Sequence, residues 1–161
     1  MSLSRCLVIG GGRWGRVLVS VLSSIVGEEE GPVFWLSRHG VNENKKFLFE
    51  HSFFNVQLES DEDYVWDLAN IVFVVTSSYS HAYYSRKALS SGKHVLCEKP
   101  FSMSIEDAED LVRFGIEKDV VAGVNLEFSK NQVGTFALPL FTFIDSNFLR
   151  TLPQREFTKG R

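Results

Sequence analysis

Three glycines near the start of this 161-residue sequence follow a short apolar run with the spacing Gly-x-Gly-x-x-Gly. Apolar residues then recur at helical spacing from Val17 to Ile25, so the stretch predicts a strand, a glycine turn and a helix. In that order, the glycines make a tight turn, admit a pyrophosphate and let the helix pack closely, while the helix N-terminus offers N–H groups to phosphates. The alternative is a glycine-rich turn that binds nothing. The predicted dinucleotide contacts in this stretch are Gly10, Gly12, Arg13, Trp14 and Gly15.

Ser37 and Arg38 follow the second predicted strand, where NAD-binding sheets carry an acid for the ribose 2′-hydroxyl. No acid lies beside them. A carboxylate would repel a 2′-phosphate, whereas a hydroxyl and the planar donor fork of a guanidinium can hold one. The pair therefore favours NADP(H), with NAD(H) as the second choice. The alternative for Arg38 is a solvated surface charge.

Lys99 follows the fifth predicted strand, between Glu98 and Pro100. A lysine there can reach a nicotinamide and a substrate oxygen, and burial or a neighbouring charge could lower its pKa for proton donation. Glu98 would oppose such lowering, so an electrostatic positioning role and a plain surface charge remain alternatives. His81 begins the helix after the fourth strand, where packing or capping is commoner than catalysis.

The elements that must position these residues alternate along the chain. Strands are predicted at about 5–9, 33–36, 55–58, 71–75, 94–97 and 120–126, and helices at about 13–26, 42–50, 60–68, 81–90 and 104–115. This alternation predicts an α/β fold with a doubly wound parallel sheet, the Rossmann fold, over residues 1–126. Ligands bind such sheets at the carboxyl ends of the strands. Residues 127–161 form an apolar, phenylalanine-rich extension, with one further strand predicted at 141–144.

Composition narrows the function classes. The net charge is −3 with no basic block, which argues against nucleic-acid binding. Neither an apolar run long enough to cross a membrane nor a signal-peptide pattern is found, so a cytoplasmic protein is expected. Cys6 and Cys97 lie in predicted strands and are interpreted as small buried hydrophobes. No metal-ligand spacing is found, so no metal site is predicted.

Three stretches together resemble one enzyme family. Ile9–Gly15 (IGGGRWG), Thr76–His81 (TSSYSH) and Ala88–Pro100 (ALSSGKHVLCEKP) resemble motifs of the glucose–fructose oxidoreductase / inositol dehydrogenase / MocA family. Val124–Phe128 resembles the strand that leaves the nucleotide domain of that family. The resemblance covers roughly residues 5–130. Ser77 and Ser78 depart from the Pro-Asn of the family's loop.

The resemblance implies an NAD(P)-dependent oxidoreductase that moves a hydride to or from a sugar, cyclitol or related small alcohol or carbonyl compound. It implies Lys99 as the catalytic residue and an antiparallel second domain that completes the substrate pocket. The further cofactor contacts that it implies are Thr76, Ser77, His81, Glu98, Lys99 and Asn125.

The second, substrate-binding domain is expected to be largely absent, because only about 35 residues follow the sixth strand, far fewer than a domain needs. We therefore expect cofactor binding without turnover by this chain alone. The alternatives are a non-catalytic dinucleotide-binding or sensor module that acts through a partner chain, and an interaction protein without a ligand. The apolar extension predicts a homo-oligomer or a partner chain that packs on residues 127–161.

Overall fold

The computed structural model describes residues 5–26, 31–60 and 65–125. The strands are β1 Cys6–Ile9, β2 Val33–Leu36, β3 Val56–Glu59, β4 Ile71–Val74, β5 His94–Glu98 and β6 Ala122–Asn125. The helices are α1 Arg13–Ile25, α2 Val41–Glu50, α3 Ser78–Ser90 and α4 Ile105–Glu117. Of the helix predicted at 60–68, residues 65–66 are helical and 61–64 lie outside the described ranges.

The six strands form one parallel sheet in the order β3-β2-β1-β4-β5-β6. Strand β1 is central, and Val8 lies opposite Trp35 of β2 on one side and Phe73 of β4 on the other. The chain reverses its direction of winding between β1 and β4, which creates a crevice at their carboxyl ends. The predicted doubly wound α/β fold is confirmed.

Both faces of the sheet are covered by apolar side chains. All four residues of β1 and of β2 are buried, as a parallel sheet between helix layers requires. Strand β4 departs from this pattern, because Val72 and Val74 are buried while Ile71 and Phe73 are partly exposed. Phe73 packs at the margin of the cluster that contains Val8 and Trp35, so that face of β4 is only partly covered.

Local signals account for several element ends. The Ser104 hydroxyl accepts a hydrogen bond from the Asp107 N–H at 3.1 Å and so caps the N-terminus of α4. The prediction that Cys6 and Cys97 are buried is confirmed, since they are 2% and 0% exposed and neither forms a disulfide.

The chain divides into two compact units, 1–128 and 129–161. The second unit, with the predicted extension and the strand at 141–144, lies outside the described residues. None of the helices in the described ranges is long and apolar enough to cross a membrane.

Candidate functional site

The glycine turn between β1 and α1 is fixed by the two neighbouring strands. The Gly10 N–H donates to the Leu36 carbonyl oxygen at 3.0 Å, and the Gly10 carbonyl oxygen accepts from the Trp35 indole at 2.8 Å. Gly10 has a φ of +131°, and a Cβ there would lie 2.5 Å from the Val75 carbonyl oxygen. Position 10 therefore needs glycine for its conformation and for the close approach of the end of β4.

The other two glycines of the motif differ from each other. Gly15 is buried in α1, and a Cβ on it would collide with the Gly10 carbonyl oxygen. Gly12 is exposed, and no atom lies within 4 Å of the position that its Cβ would occupy. Gly15 therefore serves helix packing, whereas Gly12 leaves backbone open to a ligand.

The turn after β2 packs directly on the glycine turn. Ser37 is 1% exposed, and its hydroxyl donates to the His39 carbonyl oxygen at 2.6 Å while accepting from the Asn44 amide at 3.0 Å. Asn44 also donates to the Gly11 carbonyl oxygen at 3.3 Å. Sequence reasoning missed Asn44 and Gly11, because a single polar residue within a helix carries no signal of a partner 33 residues earlier.

Exposed or partly exposed arginines lie on the start of α1 and on the turn after β2. Arg13 and Arg38 are exposed, and Trp14 is half exposed. Arg16 donates through Nε to the Asn44 side-chain oxygen at 2.9 Å, and its guanidinium lies 5.8 Å from the centre of the Phe47 ring. A cavity of about 320 Å³ is lined by Gly11, Gly12, Arg13, Arg16, Val17, Ser20 and Phe47. This side of the glycine turn is therefore rich in positive charge.

The loop after β4 is joined to the loop after β5 by His81. His81 is 2% exposed, and its ring nitrogens lie 2.7 Å from the Pro100 carbonyl oxygen and 3.1 Å from the Thr76 carbonyl oxygen. Which of the two ring nitrogens donates depends on the tautomer of the ring. The Thr76 hydroxyl accepts from the Ser80 hydroxyl at 2.8 Å, and Ser77 is exposed beside them.

Glu98 ends β5 and is held by the neighbouring strand. Pairing of β5 with β6 sets Glu98 opposite Asn125, whose amide donates to one carboxylate oxygen of Glu98. The Lys99 backbone N–H lies 3.3 Å from the other carboxylate oxygen. Lys99 itself is exposed, and its peptide bond to Pro100 is cis. A fixed carboxylate and an exposed ammonium therefore lie together at the end of β5.

The predicted site residues all follow, or end, strands at the carboxyl edge of the sheet. They lie after β1, β2, β4 and β5 and at the end of β6. Their individual contacts to a cofactor stay predictions. Within residues 5–26, 31–60 and 65–125, no group of three or more His, Cys, Asp or Glu side chains could hold a metal ion.

A parallel sheet in this strand order, with a Gly-x-Gly-x-x-Gly turn at its switch point, defines a nucleotide-binding domain of the Rossmann class. The family model described as "Oxidoreductase family, NAD-binding Rossmann fold" (GFO_IDH_MocA) matches residues 4–126. The chain therefore belongs to the glucose–fructose oxidoreductase / inositol dehydrogenase / MocA family of oxidoreductases, and the family resemblance inferred from its motifs is confirmed.

One curated relative and one solved structure illustrate what the chain is similar to. Glucose-6-phosphate 3-dehydrogenase of Bacillus subtilis is 31% identical over 101 residues, which are 63% of this chain and 27% of that protein. The crystal structure of GenD2 from gentamicin A biosynthesis, in complex with NAD, superposes with a TM-score of 0.63 at 22% identity, over 77% of this chain and 34% of that one. At that identity the second likeness concerns the fold alone. The chain spans less than a third of the curated relatives it matches.

A second similarity concerns the C-terminal part of the chain. A model of the N-terminal part of 3-dehydroquinate synthase matches residues 119–159. The 3-dehydroquinate synthase of a Nitratiruptor species is 53% identical over 38 residues, which are 24% of this chain and 11% of that protein. The segment matched by the model begins before β6 and continues beyond the described residues.

Proposed function

We propose that this chain is the nucleotide-binding domain of an NADP(H)-preferring oxidoreductase. In this proposal the enzyme moves a hydride to or from a sugar, cyclitol or related small alcohol or carbonyl substrate. The observation that carries the cofactor preference is the turn after β2, where Arg38 is exposed and no carboxylate occurs from Ser37 to Asn42. The sugar-related substrate of the Bacillus subtilis relative supports the substrate class.

Arg38 is the residue that contacts the 2′-phosphate in this proposal, because its guanidinium supplies several charged donors at the edge of the sheet. Ser37 contributes through the shape of the turn, because its single hydroxyl proton is already donated to the His39 carbonyl oxygen. The open backbone at Gly12 and the first turn of α1 receive the pyrophosphate.

Lys99 is the catalytic residue in this proposal. A bound nicotinamide supplies or accepts the hydride. Lys99 lies at the end of β5, where its ammonium can donate a hydrogen bond to a substrate oxygen and can pass its own proton to that oxygen. Glu98, fixed by Asn125, faces the same end of the sheet and orients the reacting ring. We expect this chain alone to bind cofactor without turnover, because family members complete the substrate pocket with a second domain.

The cofactor assignment is tested by calorimetric titration of the chain with NADPH and with NADH. We expect NADPH to bind more tightly. Arg38→Asp should weaken NADPH binding at least about tenfold, since a charge-assisted hydrogen bond is replaced by repulsion, and should leave NADH binding nearly unchanged. Arg5→Asp is the matched control, because Arg5 is also exposed but precedes β1 at the opposite edge of the sheet. Absence of binding by both dinucleotides would contradict the proposal.

Turnover is tested separately by following NADPH absorbance with sugar carbonyl substrates. No oxidation is expected from the chain alone. Hydride transfer that Lys99→Ala abolishes would show that no second domain is needed, and would overturn that part of the proposal while supporting Lys99.

A further inference from the structure

Asn44 is a polar residue of α2 with none of its surface exposed. Its side-chain amide donates to the Ser37 hydroxyl at 3.0 Å and to the Gly11 carbonyl oxygen at 3.3 Å. Its side-chain oxygen accepts from Arg16 Nε at 2.9 Å. The three partners belong to the turn after β2, the glycine turn and α1, so one buried side chain connects three segments of the carboxyl edge.

Every polar group of this amide is used. An asparagine side chain has two N–H donors and one carbonyl acceptor, and each has a partner here. The hydrogen bonds of a buried polar group offset the free energy of removing it from water only while its partners stay in place. The network therefore favours one arrangement of the glycine turn relative to the turn after β2.

The effect reaches Arg38 through Ser37. The Asn44 amide donates to the Ser37 hydroxyl, which leaves the hydroxyl proton for the His39 carbonyl oxygen at 2.6 Å. That hydrogen bond spans the backbone of Arg38. Without the amide donor, the Ser37 hydroxyl keeps only one of the two hydrogen bonds that fix its rotamer beside Arg38.

The spacing at Gly11 supports the same coupling. A Cβ on Gly11 would collide with the Ser37 hydroxyl and would lie 2.7 Å from Asn44 Nδ2 and 2.9 Å from the His39 carbonyl oxygen. The two turns are thus in direct contact without room for a methyl group. A shift of one turn must therefore move the other.

We propose that Asn44 is a positioning residue that sets the preference between NADPH and NADH by holding the Arg38 turn against the glycine turn. This inference rests on the proposed NADP(H)-binding function. Asn44 makes no contact with the cofactor itself; it acts through Ser37 and Arg38.

The test is the ratio of the dissociation constants for NADH and NADPH, measured by calorimetry on the full chain. Asn44→Ala should lower this ratio about tenfold, because the turn that presents Arg38 is no longer fixed and the loss falls on the 2′-phosphate contact. Asn44→Leu keeps the number and branching of the heavy side-chain atoms without the three hydrogen bonds, and should give the same result if the alanine variant does not fold.

Asn55→Ala is the matched control. The Asn55 amide donates to the Ser23 carbonyl oxygen at 3.0 Å and to the Val26 carbonyl oxygen at 3.2 Å, and its oxygen accepts from the Ser23 hydroxyl. The Asn55→Ala variant therefore also loses three hydrogen bonds, but these lie between the C-terminal end of α1 and the start of β3. The melting temperature of this variant should fall, while its ratio of NADH to NADPH dissociation constants should stay that of the wild type.

A double-mutant cycle with Arg38→Ala isolates the pathway. In the Arg38→Ala background, Asn44→Ala should change the ratio less than about twofold, because the group that it positions is gone. An unchanged ratio in Asn44→Ala and Asn44→Leu, with NADPH still preferred by the wild type, would overturn the inference alone. An undiminished effect in the Arg38→Ala background would also overturn it. A wild type that does not prefer NADPH would instead overturn the proposed cofactor assignment on which the inference rests.

Discussion

The carboxyl edge of the sheet has two halves that differ in how their polar groups are held. After β1 and β2, Asn44 and Ser37 are buried, and they bond to backbone carbonyl oxygens, to each other and to the Arg16 side chain. After β4 and β5, Ser77 and Lys99 are exposed. There the Thr76 and Ser80 hydroxyls bond to each other, and the Glu98 carboxylate bonds to Asn125 of the neighbouring strand. The polar groups of the first half are therefore themselves part of the core. Those of the second half are more exposed and are held by buried residues such as His81.

In the proposed function the two halves have different tasks. A site for phosphate and ribose gains affinity from groups already held in their bound positions. A site for the reacting end of a dinucleotide must also admit a substrate. Exposure of Lys99 beside a fixed Glu98 suits that requirement. Substitutions at buried positions below each half measure how much the core contributes to holding it.

The largest effect is expected in the first half, from Gly10→Ala. The new methyl group would lie 2.5 Å from the Val75 carbonyl oxygen, and alanine would have to adopt a φ of +131°. We expect a loss of about 3 kcal/mol or more in the free energy of unfolding, measured by urea denaturation, together with loss of NADPH binding.

Gly12→Ala is the control within the same motif. Its methyl group meets no atom of the chain within 4 Å. Its unfolding midpoint should equal that of the wild type, while its NADPH affinity should fall about tenfold because the methyl group obstructs the approach of the pyrophosphate. Equal stability of the two alanine variants would refute the contrast drawn between these glycines.

A smaller effect is expected in the second half, from His81→Ala. Removal of the ring leaves a cavity and ends both contacts that join the Thr76 and Pro100 loops. The free energy of unfolding should fall by about 2–3 kcal/mol in urea denaturation. His51→Ala, which removes an exposed ring with one hydrogen bond to its own helix, should cost under about 1 kcal/mol. If both variants lose the same amount, His81 does not support these loops.

The parts of the fold that depend on local patterns were predicted from the sequence. The bounds of β2 agree with the prediction, because a short apolar run follows Pro32 and ends at a polar turn. Strand β6 begins at Ala122 instead of 120, because the Val120 N–H donates to the Gly115 carbonyl oxygen and completes the turn that ends α4. The pattern of apolar residues does not distinguish such a turn from a strand.

The candidate site likewise has parts that the sequence predicts and parts that it does not. The glycine motif and Arg38 have types and spacing that are visible in the sequence. The role of Gly11 is not, because it depends on Ser37 and Asn44, which only the folded sheet brings beside it. The link that His81 makes between the loops after β4 and β5 is also not predictable from the sequence. Pro100 lies 19 residues away and contributes only its backbone oxygen.

The smallest change in stability is expected in the core below the second half of the carboxyl edge. There Cys97 is buried and precedes Glu98 on β5. Burial raises the pKa of the Cys97 thiol from 9.0 to about 12, and its Sγ donates to the Glu98 carbonyl oxygen at 3.2 Å. The folded protein therefore keeps this proton at a pH at which the unfolded chain releases it. Stability from this group is complete below pH 9 and is lost as the pH rises from about 9 towards 12.

We expect titration of this thiol to lower the free energy of unfolding by about 1 kcal/mol between pH 7 and pH 10. Urea denaturation of the wild type and of Cys97→Ala at both pH values measures the contribution as the difference between their pH dependences. The alanine variant should be less stable at pH 7, because a buried sulfur is lost, but should lose less stability on going to pH 10. An equal loss in both proteins would mean that the folded and unfolded chains release the Cys97 proton over the same pH range. The core beneath Glu98 and Lys99 would then not be closed to solvent.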